Sequence, residues 1–87
     1  MKQDFYLRLQ NKLNEVNEWP CVYLYKFIVT VNEVDEVKKM FKDAEIHTRK
    51  SSKGTYTSVS VKTIALNANE IIETYKKASK IKGIISL

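Results

Sequence analysis

One cysteine, one histidine, one proline and two glycines are all that a chain of 87 residues provides of these four types. A lone Cys21 excludes an internal disulfide. Cys21 with a lone His47 falls short of the four ligands of a structural zinc site, so neither a metal nor any other cofactor is expected. Long apolar runs are missing too. The longest, Val22 to Val31, is interrupted by Lys26 and is shorter than the roughly 20 residues a membrane helix needs, so no membrane partner is expected. The opening Met1-Lys2-Gln3-Asp4 carries no apolar stretch of the secretory kind, which leaves a cytoplasmic location as the expectation. With Pro20 the sole proline and no low-complexity linker or internal repeat, nothing divides the chain: residues 1–87 read as one domain, with 1–19 as an N-terminal helical extension.

What is present is an ordinary globular balance, 44% apolar and 29% charged, in a chain whose size buries roughly two-thirds of its unfolded surface. The net charge of +5 favours an acidic partner. The lysines are spread through the second half rather than massed in one block, so the charge alone does not point to nucleic acid.

The apolar spacing defines the elements. Phe5, Leu9, Leu13 and Val16 fall on one face of a helix over residues 4–18, and Trp19-Pro20 ends it. Val22 to Val31 is dense in β-branched and aromatic residues and predicts a central strand. Its inner face carries Tyr23, Tyr25, Phe27, Val29 and Val31; Leu24, Lys26, Ile28 and Thr30 point the other way. Asn32 is placed to cap a second helix whose first turn holds Glu33, Asp35 and Glu36 and whose buried stripe is Val34, Val37, Phe41 and Ala44. A short strand over residues 45–50, a turn at Ser51-Ser52-Lys53-Gly54 and a long strand from Thr55 to Leu66 make a hairpin. Asn67 with Glu70 three residues later begins a last helix, with Ile71, Ile72, Tyr75 and Ala78 inward, and Gly83 to Leu87 closes on a short strand. After the first helix the order is β-α-β-β-α-β. The predicted fold is therefore α+β, a ferredoxin-like sandwich with two helices on one face of a four-stranded antiparallel sheet.

Four features could carry function. The turn Ser51-Ser52-Lys53-Gly54, with Tyr56 and Ser58 after it, has the hydroxyls, amides and cation of an anion cradle; the simpler reading is a hairpin turn in which Gly54 supplies positive φ. The sheet face away from the helices presents Tyr56, Ser58, Ser60, Lys62 and Ile64 beside Lys26 and Ile28. It either docks a partner or lies under the first helix, whose stripe needs cover. Lys53 to Val59 fails the aromatic strand motif of RNA recognition modules, because the stacking places are Thr55 and Thr57 while Tyr56 sits between them. Cys21 and His47 lack a third member that would make them nucleophile and base, and Cys21 reads as a small buried residue. The charges at Glu33, Asp35 and Glu36 read as first-turn complements to the helix dipole.

Trp19-Pro20-Cys21, the run from Ser51 through Gly54 to Tyr56 and Ser58-Val59-Ser60, and Glu73-Thr74-Tyr75 together resemble the YbeD-like family of small bacterial proteins of unknown function, sometimes labelled lipoate regulators. The resemblance spans essentially the whole chain. It implies a ferredoxin-like fold similar to ACT-type regulatory domains, which bind small effectors beside a glycine in the loop after the first strand. Here that loop is Val31-Asn32-Glu33 and has no glycine. The expectation is a regulatory or adaptor domain that is not an enzyme. Its protein partner or small metabolite would bind through the outer sheet face and the turn, at Ser51, Ser52, Lys53, Gly54, Tyr56, Ser58 and Lys62. The alternative is a basic surface of Lys26, Arg49, Lys50, Lys53 and Lys62 that takes nucleic acid or another anionic partner. Nucleic acid is the less favoured of the two, and a homodimer is compatible with either.

Overall fold

A computed structural model describes residues 2–87. Its elements are α1 (Lys2–Val16), β1 (Cys21–Thr30), α2 (Val34–Met40), β2 (Glu45–Lys50), β3 (Tyr56–Ala65), α3 (Ala68–Ala78) and β4 (Ile85–Ser86). The sheet runs β2-β3-β1-β4 with antiparallel neighbours throughout. This is the ferredoxin-like order that two βαβ crossovers produce when the hairpin strand β3 inserts beside β1.

Side-chain alternation decides which face is roofed. Tyr25, Phe27 and Val29 from β1 and Val59, Val61 and Ala65 from β3 are buried under Val37 of α2 and Ala68, Ile71 and Ile72 of α3. Aromatic rings fill the middle: Tyr25 lies 5.3 Å from Phe41 and 5.4 Å from Tyr75, edge to face with the latter. Such ring pairs add to the area they bury. The N-terminus of α3 is fixed by Asn67, whose Oδ1 accepts the Glu70 amide at 2.8 Å. The Glu70 carboxylate reaches back to the amide of Leu66 rather than of Asn67, one residue earlier than a strict capping box requires.

Four expectations need correction. Phe5 and Val16 are 61% and 67% exposed; the covered stripe of α1 is Tyr6, Leu9 and Leu13 instead. The cause is that α1 packs chiefly on α3, and one main neighbour covers only a narrow stripe. For the same reason α1 does not cover the outer sheet face. Its apolar residues meet Tyr23 and Tyr75 at the edge of the helical layer, and the Lys76 ammonium sits 5.0 Å above the Tyr6 ring. Val31 leaves the inner face, because β1 ends at Thr30 and residues Val31–Glu33 form a single 3-10 turn. That turn places Glu33, not Asn32, at the start of α2, and no side chain caps it. The Val31 amide instead donates to the Thr55 carbonyl at 3.3 Å. Finally, Cys21 is half-buried and free rather than sealed in the core. Among the described residues no helix is long and apolar enough to cross a membrane.

Candidate functional site

The hairpin turn is closed from inside. The Gly54 amide donates to the Ser51 carbonyl at 2.9 Å, and Gly54 adopts φ +72°, the left-handed conformation that an L residue enters only at a cost. The Ser51 amide donates to the Tyr56 carbonyl at 2.8 Å, and the Ser51 hydroxyl accepts the Tyr56 amide at 3.3 Å. The hydrogen-bonding groups of Ser51 thus brace the turn, while Ser52 and Lys53 stand exposed at its tip.

Beside the turn, Ile28, Arg49, Lys50, Ser51, Tyr56 and Ser58 line a shallow concavity of about 350 Å³. Tyr56 projects outward, and the Ser58 hydroxyl donates to the Arg49 carbonyl at 3.5 Å. Lys62 shares this face but not this hollow. It stands between Leu24 and Glu45 in register, six residues along β3 from Tyr56 and so roughly 20 Å away. The structure therefore brings six of the seven expected site residues, Ser51 to Ser58, to one end of the sheet and leaves Lys62 at the other.

The outer face is uncovered along its length. Val22 and Ile64 are register partners and are 60% and 62% exposed; Leu24 and Ile85 are each 51% exposed. Alternation in β1 foretold Leu24 there. Val22 and Ile85 were missed, although Val22 carries the same parity and Ile85 pairs with Ile28. Among these aliphatic residues stand Lys26, Lys62 and Arg49, none of which lies in an ion pair among the described residues. Glu45 faces His47 at 3.4 Å.

Two other constellations do not assemble. Cys21 pairs with Ala65 on the inner side of the sheet and His47 with Ser60 on the outer side, so no nucleophile and base meet. Thr57, one of the two places where an RNA-stacking aromatic would stand, is buried at 2% exposure, and Tyr56 is the one aromatic on the outer strand positions. Among the described residues no cluster of three or more His, Cys, Asp or Glu could hold a metal ion.

A groove that the sequence did not disclose lies between α1 and α3. Phe5, Tyr6, Leu9, Tyr23 and Tyr75 line much of its volume of about 360 Å³. The Tyr23 and Tyr75 hydroxyls meet there at 3.0 Å, and burial pushes the Tyr75 phenol above its ordinary range. No local pattern signals a pairing of residues so far apart in the chain.

A family model described as "Protein of unknown function (DUF493)" matches residues 14–87. Curated relatives include a UPF0250 protein of Haemophilus ducreyi, 32% identical, with 86% of this chain and 84% of the relative covered. A UPF0250 protein of Pasteurella multocida is 30% identical over 86% of this chain and 93% of its own length. One from Haemophilus influenzae strain Rd is 35% identical over 84% and 87%. No solved structure matches.

Proposed function

Because this chain belongs to the DUF493 family, whose function is unknown, we propose its role from its own side chains: a non-catalytic regulatory or adaptor domain that binds a protein partner or small metabolite. Binding is through the outer sheet face and the Ser51-to-Gly54 turn. The observation that carries this reading is the open face itself, where exposed Val22, Leu24 and Ile64 stand beside Lys26 and Lys62, which form no ion pair among the described residues. Exposed aliphatic residues gathered on one face and set among polar ones mark an interaction surface. In this scheme Lys53 meets an anionic group and Ser52 orients it from the tip of the turn. Ser51 and Gly54 hold the turn's shape, and Tyr56, Ser58 and Lys62 extend the contact across the face.

A second reading takes the cations Lys26, Arg49, Lys50, Lys53 and Lys62 as an electrostatic surface for nucleic acid or another polyanion. It is favoured by the outward projection of Lys26, Arg49 and Lys62 from three neighbouring strands. Salt separates the two. Affinity for nucleic acid falls by about 10³ or more between roughly 50 and 200 mM salt when several phosphates are neutralised, whereas an apolar contact with one or two ion pairs persists.

The test is affinity capture from a lysate of the cells that encode the protein, with wild type, Lys53→Ala and Tyr56→Ala, and mass spectrometry of bound proteins and small molecules. A species held by wild type across that salt range and lost from both variants supports the reading. The same bound species on all three chains, or retention of nucleic acid alone, overturns it.

A further inference from the structure

We propose that the occupant of the outer sheet face is an acidic amphipathic segment of another protein, apolar at both ends and carboxylate-bearing in its middle, lying along β1 and β3. This rests on the reading of that face as the binding surface and adds the chemistry of what binds.

The order of outward side chains along β1 is apolar, basic, apolar, with Arg49 of β2 flanking the second apolar end. At one end Val22 pairs with Ile64, next to Leu24; at the other Ile28 pairs with Ile85, next to Tyr56. Between them, Lys26 opposite Ser60 and Lys62 opposite Leu24 are diagonal neighbours, which sets their backbones about 7–8 Å apart. Neither ammonium is within ion-pair distance of a carboxylate among the described residues, since Glu45, the register partner of Lys62, turns to His47. Any occupant that buries the two apolar ends also desolvates this central pair, and an unpaired buried charge is costly. Carboxylates in the middle of the occupant answer that cost. The six residue steps from Val22 to Ile28 span roughly 20 Å, which a helix of about 14 residues covers.

Charge removes the other occupants. A second copy of this chain related by a two-fold axis through the middle of the face would set Lys26 and Lys62 against their own images. A membrane-binding surface gathers its apolar residues on one face with the cations on the other; here Lys26 and Lys62 divide the apolar residues of a single face into two ends. Single-stranded nucleic acid needs stacking platforms along its path, and Tyr56 is alone.

The test uses the full chain and synthetic peptides of about 16 residues, a length that covers the roughly 20 Å between the apolar ends with a turn to spare. One carries leucines at both ends and glutamates in the middle; its counterpart carries lysines in the middle. Amide chemical shifts are followed during titration. The acid-centred peptide is expected to move resonances of Val22, Leu24, Lys26, Lys62 and Ile64, and to bind at least tenfold more tightly than the lysine-centred one. The double variant Lys26→Glu/Lys62→Glu, altered only at exposed positions, should keep the fold by circular dichroism and invert the preference. Equal binding of both peptides on this face overturns the acidic assignment while leaving the face as a docking surface. Protein-concentration-dependent shifts of the same residues without peptide assign the face to a second copy and overturn it. So does a stronger response of these residues to a single-stranded oligonucleotide or to anionic lipid vesicles. If no probe moves the face, this inference falls; if in addition capture does not depend on Lys53, the proposed function falls with it.

Discussion

The hydroxyls of Tyr23 and Tyr75 are 3.0 Å apart across 52 residues of sequence, joining the inner face of β1 to α3. The Tyr23 ring stands edge-on to those of Tyr25 and Tyr75, at 4.8 and 6.5 Å between centroids. One polar contact is thus held inside an aromatic cluster, where a hydrogen bond is stronger and an ionised phenol is penalised. Tyr6 and Leu9 of α1 line the groove beside this pair. The contact ties β1 to α3, and burial favours the neutral form of Tyr75.

Alkaline pH should loosen the fold through this cluster. Burial raises the Tyr75 phenol above the ordinary value of 10.0, the contact with the Tyr23 hydroxyl raises it further, and burial raises Tyr25 as well. For a group whose folded value lies above its unfolded one, the stabilising contribution is complete below the unfolded value. It is lost as pH climbs from there through the folded one. Stability should hold up to about pH 10 and fall steadily above it, which urea midpoints across that range will show. Tyr75→Phe should cost about 1 kcal/mol at neutral pH from the lost hydrogen bond and make the decline above pH 10 shallower. An equally steep decline in the variant would place the alkaline sensitivity elsewhere.

Thr57 offers a substitution that should stabilise. It is 2% exposed on β3, between Val29 and Lys50 in register, and its Oγ1 is buried with no hydrogen-bond partner among the described residues. An unsatisfied buried hydroxyl costs about 1–3 kcal/mol, and valine has nearly the same shape without the polar atom. Thr57→Val is expected to raise the unfolding free energy by about 1 kcal/mol. Thr57→Ser, which keeps the hydroxyl and removes a buried methyl, should lower it by a similar amount. Loss of stability in the valine variant would mean that the hydroxyl has a partner in solution.

Much of this architecture was legible because it follows from periodicity. The alternation from Tyr23 to Val29 and from Thr57 to Ala65 fixes which sheet face is inside, and Asn67 before Glu70 marks the start of α3. What stayed hidden is decided by tertiary neighbours. In α1, Phe5 and Tyr6 are equally plausible inward residues by spacing, and only the position of α3 selects Tyr6. The same holds for Asn32, a good cap residue by type that loses its role because the chain takes a 3-10 turn before α2 begins. At the candidate site the turn residues and Gly54 were readable, whereas the 20 Å that parts Lys62 from them follows from register. By type the Ser51 amide and hydroxyl suit an anion cradle, yet both serve the turn, a use that sequence alone does not distinguish from the other.

Two isoleucines test the direction of the roof directly. Ile71 of α3 is fully buried against the inner face of the sheet, and Ile64 of β3 is 62% exposed on the outer face. Truncating the first removes its contacts with the packed core and leaves a cavity, so Ile71→Ala should cost about 2–5 kcal/mol in chemical denaturation. Ile64→Ala removes side-chain atoms that already meet water, and should change stability by no more than about 0.5 kcal/mol. The same Ile64→Ala variant should weaken binding of the acid-centred peptide, because Ile64 supplies one apolar end of the surface on which that peptide lies. Stability and binding are thereby separated in one residue. A fall of several kcal/mol at Ile64 would mean that this face is covered in solution, by α1 or by a second copy, and would remove the open surface on which partner binding depends.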